Sequence, residues 1–378
     1  MINTFKVGTN LDNELVDIFD GLNQKYSNKI IEVFGSIREH ARWAARPEFR
    51  LPDVSLTELE KHVKLLQSKN IEFNYTLNAP FIGSSEEIEK HLCELERILV
   101  FLNVVGIKTL TVSSPLLSKL IHQICPCKFK TELSTIAALT QVSQLKAYWI
   151  QARFTKFCMN LEKNRDFEFL KSCAKVAEEN GFKINLMVNE FCSTSDVNFS
   201  SHCVLRQDCY NLHSVNKTKE DYLKFDGYPM SYCMAGRQIE EYSWLRSRFI
   251  LPQWLKHYNA IGINHFKITG RTGTTAYIKK ITEAYMSEKW TGNLLELWKS
   301  LESIYDNQQD DNAHYVDTRL DSNIIDTNNF LGKWIDPVGY IKSQSGLKPI
   351  YFNCANVECG KDCVYCKNFY ERYLKNEL

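Results

Sequence analysis

At 378 residues and 44.0 kDa, the chain is long enough to bury one large core with an appendage, or two cores. Its 44% hydrophobic and 24% charged content excludes a disordered or collagen-like chain. The formal net charge of +1 gives no long-range pull toward nucleic acid, acidic ligands or membranes, although a net charge hides its distribution.

The opening "MINTFKVGTNLDNELVDIF" lacks the basic start and apolar run of a secretion signal. No later apolar stretch reaches the roughly 20 residues that a membrane helix needs, so no membrane insertion is expected. A cytoplasmic location is the expectation, and there clustered cysteines more often bind metal or do redox chemistry than form structural disulfides. Of thirteen cysteines, Cys93, Cys158 and Cys173 lie in helix-like stretches and read as plain buried residues. Cys125 and Cys127, in "ICPCKF", are harder to dismiss, but two thiols do not complete a site.

In chain order, the predicted strands are "TFKVGT" (4–9), "KIIEVFG" (29–35), "IEFNYTLN" (71–78), "GIKTLTVS" (106–113), "FKTELS" (129–134), "LKAYWI" (145–150), "KINLMVN" (183–189) and "HFKITG" (265–270). Between most of them lie amphipathic stretches such as "SLTELEKHVKLLQSK" and "DFEFLKSCAKVAEEN", with apolar residues three and four apart. Repeated strand–helix units predict a parallel α/β fold, and this number of strands suits a TIM-like (β/α)8 barrel, possibly distorted. A doubly wound sheet is the competitor. It loses ground because "VGTNLDNEL" lacks the second and third glycines of a dinucleotide loop. P-loop, paired-histidine zinc-protease and G-x-S-x-G patterns are also missing from the sequence.

Glu32, Asn78, Glu132, Asn189 and Lys267 all fall within or at the C-terminal ends of predicted strands, where a barrel builds its active site. Each alone reads as a loop cap or surface polar group; together they predict a shared pocket. The block "GSIREHARWAARPEFR" (35–50) carries four arginines after a strand end, and reads equally as a phosphate or carboxylate site or as a solvated face.

Beyond residue 300 the pattern degrades into the asparagine- and aspartate-rich "YDNQQDDNAHYVDTRLDSNIIDTNNF". The expected division is a barrel over 1–300, a polar arm or linker over 301–350 and a cysteine-rich tail over 351–378.

The central thiols Cys192, Cys203, Cys209 and Cys233 are separated by ten, five and twenty-three residues. That irregular spacing fits an iron–sulfur cluster held from separate loops better than a zinc knuckle, with unligated thiols left open. His202 and His213 are alternative ligands or donors. The tail set Cys354, Cys359, Cys363 and Cys366 is compact, and suits zinc or a second cluster without the spacing deciding between them.

The blocks "INLMVNEFC" (184–192), "HCVLRQDCYNLHS" (202–214), "YPMSYC" (228–233) and "FILPQWLKHYNAIGINHFKITGRTGTTAYIKKITEAY" (249–285) resemble the U32 family of collagenase-like peptidases, which also includes oxygen-independent hydroxylases. These blocks cover about a third of the chain, which departs from the family in inserting "STSDVNFSSH" before Cys203 and in carrying the four-cysteine tail. The resemblance implies a [4Fe–4S] cluster on Cys192, Cys203 and Cys233, with Cys209 fourth by position.

It also implies an oxidoreductase that hydroxylates or otherwise oxidises an RNA, peptide or small metabolite, fed by an electron or oxygen donor and possibly assisted by a protein partner. In that reading His202, Arg206 and His213 direct charge to the cluster, Arg271 holds an acidic oxygen by a forked pair of hydrogen bonds, and Glu32 and Glu190 accept protons. The alternatives are a U32-type peptidase and a non-catalytic scaffold stapled by metal.

Overall fold

The computed structural model describes residues 1–46, 48, 51–190, 247–271, 273–290 and 297, together with 364, 366–368, 371 and 375. Eight parallel strands close into a barrel in sequence order: β1 (Thr4–Gly8), β2 (Lys29–Gly35), β3 (Glu72–Leu77), β4 (Thr109–Val112), β5 (Lys130–Leu133), β6 (Phe154–Cys158), β7 (Lys183–Met187) and β8 (His265–Ile268). The last pairs with the first, Lys267 standing beside Lys6. The predicted TIM-like (β/α)8 fold is therefore correct.

The described helices are α1 (Glu14–Lys25), α2 (Leu56–Ser68), α3 (Ser85–Val104), α4 (Pro115–Ile124), α5 (Val142–Ala152), α6 (Phe167–Asn180), α7 (Leu255–Asn259) and α8 (Thr275–Met286). Their starts are written in short polar signals. Ser55 with Glu58 and Ser84 with Glu87 form reciprocal capping boxes on α2 and α3, which satisfy otherwise orphaned backbone N–H groups. At the other end of α6, Gly181 takes a left-handed conformation (φ +69°) that closes the helix and turns the chain into β7.

One predicted strand is wrong. "LKAYWI" lies inside helix α5, and the strand is the next segment, "FTKFC". Leu145, Tyr148 and Ala152 recur at helical spacing; Leu145 and Ala152 are buried, and Tyr148 meets Phe154 edge to face. The shift moves Cys158 from a presumed helix to the C-terminal end of a barrel strand. Cys173 is buried in α6 as expected, whereas Cys93 is exposed on α3.

The usual picture of an apolar barrel interior does not hold here. Phe5, Val7, Val33, Phe73, Tyr75, Leu110, Val112, Phe157, Leu186, Phe266 and Ile268 join Leu15, Phe19, Leu59, Val63, Leu99, Leu170 and Ile281 of the helices in one core. Because side chains alternate along a strand, the opposite positions point inward, and each strand contributes a polar residue there: Lys6, Glu32, Asn74, Thr111, Glu132, Lys156, Asn185 and Lys267. Among the described residues, no helix is long and apolar enough to cross a membrane.

Candidate active site at the barrel mouth

The interior polar residues form a connected network. Lys6 Nζ donates to Glu132 Oε2 at 2.6 Å and to Thr111 Oγ1 at 3.3 Å, and lies 3.0 Å from Glu32 Oε1. These three partners use all the protons of the ammonium. Lys156 Nζ approaches the other oxygen of Glu32 at 2.5 Å. Asn74 Nδ2 bridges the two carboxylates at 3.0 Å each, while Thr111 donates to Asn74 Oδ1 at 2.7 Å. Asn185 reaches Glu132 Oε1 at 3.4 Å.

Burial on its own would disfavour every charge in this network. For Lys6, the carboxylates of Glu132 and Glu32 outweigh burial and raise its pKa. For Glu32, burial opposes ionisation, but Lys6 and Lys156 overcome it and hold the carboxyl well below the usual range. Two carboxylates thus face two ammonium groups. The network is balanced.

Lys267 lies outside that balance. Its Nζ sits 4.3 Å from the centre of the Phe34 ring, and among the described residues it makes no hydrogen bond or ion pair. Burial pushes its pKa down; the Cys158 and Glu132 charges oppose that fall, and Lys6 and Arg271 add to it. Cys158, at the end of β6, packs with Leu161 and Met187 in a small apolar cluster. Burial raises the thiol pKa of Cys158, with Lys267 the leading opposing influence.

Arg271 follows β8, and its guanidinium donates to Thr76 Oγ1 at 2.9 Å and reaches Ser36 Oγ at 3.5 Å. A glycine makes this approach possible. A Cβ at Gly8 would stand 3.1 Å from both Arg271 Cβ and the Arg271 backbone nitrogen, and 3.2 Å from the Phe34 ring. The β8 exit is fixed from β7: Asn189 Oδ1 accepts from the Thr269 N–H at 2.7 Å, and its Nδ2 donates to the Thr269 carbonyl at 2.9 Å.

The pocket expected from five strand-end residues therefore divides. Glu32, Glu132 and Lys267 converge inside the barrel. Asn189 clamps two loops, and Asn78 serves the backbone, with Oδ1 accepting from Ala45 N at 3.2 Å and its carbonyl from Ser113 at 2.8 Å. Glu32 is an ion-pair partner deep in the barrel, not an open proton acceptor. Glu190 is half-buried beyond β7 and, after burial, is the next cause of the raised Tyr277 phenol pKa. Within the arginine block, Arg38 pairs with exposed Asp53 at 2.5 Å. His40 is buried there, shares a hydrogen bond between its Nδ1 and the Tyr75 hydroxyl at 2.6 Å, and is pushed down to about 4 by burial.

His202, Arg206, His213, Cys192, Cys203, Cys209, Cys233, Cys354, Cys359 and Cys363 lie outside the described residues. The described member of the tail set, Cys366, packs against the main core. Reasoning from sequence missed Lys6, Lys156 and Cys158, although a polar residue inside each predicted strand was a usable signal for the first.

No family model matches the chain. Over 357 residues, 94% of this chain and 92% of the other, it is 24% identical to a protein of Methanocaldococcus jannaschii described as an uncharacterized protease. Among solved structures, a U32 peptidase aligns over 71% of this chain and 93% of its own, with 11% identity and a TM-score of 0.47. A GH113 beta-1,4-mannanase aligns over 76% and 99%, with 9% identity and a TM-score of 0.38.

These findings correct the redox expectation. Among the described residues, no three His, Cys, Asp or Glu side chains gather where they could hold a metal, so neither the [4Fe–4S] cluster nor a second cluster or zinc gains support. The relative that spans nearly the whole chain is described as a protease, against the expected oxidoreductase or hydroxylase.

Proposed function

We propose that this chain is a peptidase of the U32 kind, cleaving peptide bonds at the C-terminal mouth of its barrel. The observation that carries the reading is the likeness, along 94% of the chain, to a protein described as a protease. The mouth offers suitable chemistry. Burial lowers the pKa of the Lys267 amine and so favours the form that accepts a proton, and Arg271 is a donor held at the same mouth by Thr76. In this reading water attacks the peptide carbonyl, Lys267 takes the proton from that water, and Arg271 holds the developing oxyanion. Lys267 then returns the proton to the departing amine. The division into barrel (1–300), polar arm (301–350) and cysteine-rich tail (351–378) belongs to the same proposal.

The test is cleavage of a mixed peptide library, read by mass spectrometry, for the full chain and for Lys267→Met and Arg271→Met. Cleavage that falls by about a hundredfold or more in Lys267→Met supports the reading, the scale expected for a general base. No cleavage by the unmodified chain overturns the peptidase reading, while unchanged cleavage in both variants removes the chemistry from this mouth.

A further inference from the structure

We propose that Cys125 and Cys127 form a redox-active dithiol, which closes to an internal disulfide by exchange with small-molecule disulfides. They stand in the segment "ICPCKF", between the end of α4 and the start of β5, and so at the opposite end of the barrel from the mouth. Two thiols do not complete a metal site, but they do complete a disulfide. Both are free; Cys127 is exposed, and Cys125 is half-buried against the core. The proposed peptide cleavage uses neither, so this inference does not depend on that reading.

The backbone around the pair is built as a turn. Pro126 disfavours helical backbone in the residue before it, and Cys125 leaves the helical region there (φ −126°, ψ 74°). The Lys128 N–H then donates to the Cys125 carbonyl at 3.3 Å, which closes a four-residue turn with proline second. Cys127, third in the turn, takes the left-handed region (φ +60°), where glycine or asparagine is the usual occupant. A cysteine there is strained, and strain of this kind clusters at functional sites. On an extended chain, cysteines that flank one residue stand about 7 Å apart, at the limit for a disulfide. A turn shortens that separation into the range of about 4.4–6.8 Å that disulfides span. Pro126 fixes the middle of the small ring, so its closure freezes little further motion.

The two thiols stand in different surroundings, and that orders the steps. Burial and the Glu96 carboxylate raise the pKa of the Cys125 thiol, with Lys128 opposing them. Exposed Cys127, followed directly by Lys128, is the thiol that an outside disulfide meets first. Its thiolate attacks one sulfur of a disulfide RSSR, and a thiolate RS⁻ leaves. The Cys125 thiolate then attacks the Cys127 sulfur of that mixed disulfide and expels the second RS⁻. Two protein thiols and RSSR thus give one internal disulfide and two RSH; the protein gives up two electrons and two protons, and the small disulfide takes them. A disulfide across so short and exposed a ring is readily reduced, which makes the closure reversible.

The test equilibrates the reduced full chain at neutral pH with mixtures of reduced and oxidised glutathione, followed by acid quench, alkylation and tryptic mapping. Cleavage after Lys119 and Lys128 releases "LIHQICPCK", which holds Cys125 and Cys127 and no other cysteine. As the mixture becomes more oxidising, this peptide should lose both alkylation sites together and appear two hydrogens lighter than its dithiol form. Cys93, exposed on α3 and alone in its tryptic peptide "HLCELER", should show only free thiol or a glutathione adduct. In Cys125→Ser the reaction should stop at an adduct on Cys127. Closure in the parent chain is decisive without that variant. A peptide that stays doubly alkylated, that holds glutathione without closing, or that joins another cysteine peptide overturns the inference.

Discussion

Lys6 and Lys267 are register partners on adjacent strands, both buried inside the same barrel, yet their protonation is driven in opposite directions. Lys6 has two carboxylates and a hydroxyl around its ammonium; Lys267 has an aromatic face and a thiol. Burial penalises both equally in kind, so the difference comes from partners. One lysine is a structural cation at the barrel centre. The other is a buried amine at the mouth whose charge burial disfavours, and the lesson is that the protonation of a barrel lysine follows the carboxylates that engage it.

The largest effect should come from breaking the balanced side. Lys6→Met leaves Glu32 and Glu132 buried with one cation fewer, and should cost about 3–5 kcal/mol of unfolding free energy in denaturant titrations. Gly8→Ala comes next. Its new Cβ meets Arg271 and Phe34 at 3.1–3.2 Å, so about 1–3 kcal/mol is expected, with a displaced Arg271 visible in a crystal structure of the variant.

Lys267→Met should leave stability at neutral pH within about 1 kcal/mol of the parent or raise it, because it removes a buried amine that pairs with no carboxylate. The pH dependence sharpens the contrast. A lysine whose folded pKa is raised, such as Lys6, stabilises fully below its unfolded value of 10.5, and that stability is lost as pH rises through the folded value. Lys267 runs the other way. Its folded pKa is lowered, so the unfolded chain binds more protons as pH falls from 10.5, and folding loses stability there. Lys267→Met should therefore gain on the parent as pH falls from 10.5 toward neutral, in thermal melts across that range. The smallest effect is expected at the surface: Asp53→Ala removes an exposed partner of Arg38 and should change stability by less than about 1 kcal/mol.

The barrel was legible in the sequence because its strands are short apolar runs set between amphipathic helices. The exception, "LKAYWI", is instructive. Its β-favouring composition suggested a strand, but Leu145, Tyr148 and Ala152 lie on one helical face, and the true strand "FTKFC" carries an inward lysine that breaks an apolar run. The same inward polar pattern hid the interior network. A polar residue in a strand reads as solvent-facing unless the other side is known to be covered, and here the helices cover the apolar side. Glu32 and Lys267 were legible as strand-borne polar groups, but which was paired and which was not depends on contacts between strands far apart in sequence. The conspicuous cysteines pointed elsewhere, to segments outside the described residues, while Cys158, one of the plainest, lies beside the amine.

The most direct measurement is an NMR titration of the chain with 13C-labelled lysine, comparing the parent with Lys267→Met and following the Cε signal that the substitution removes. The account predicts that this signal titrates below the ordinary lysine value of 10.5, apart from the exposed lysines. A Lys267 signal that titrates at or above that value would contradict the account, and would make both lysines structural cations.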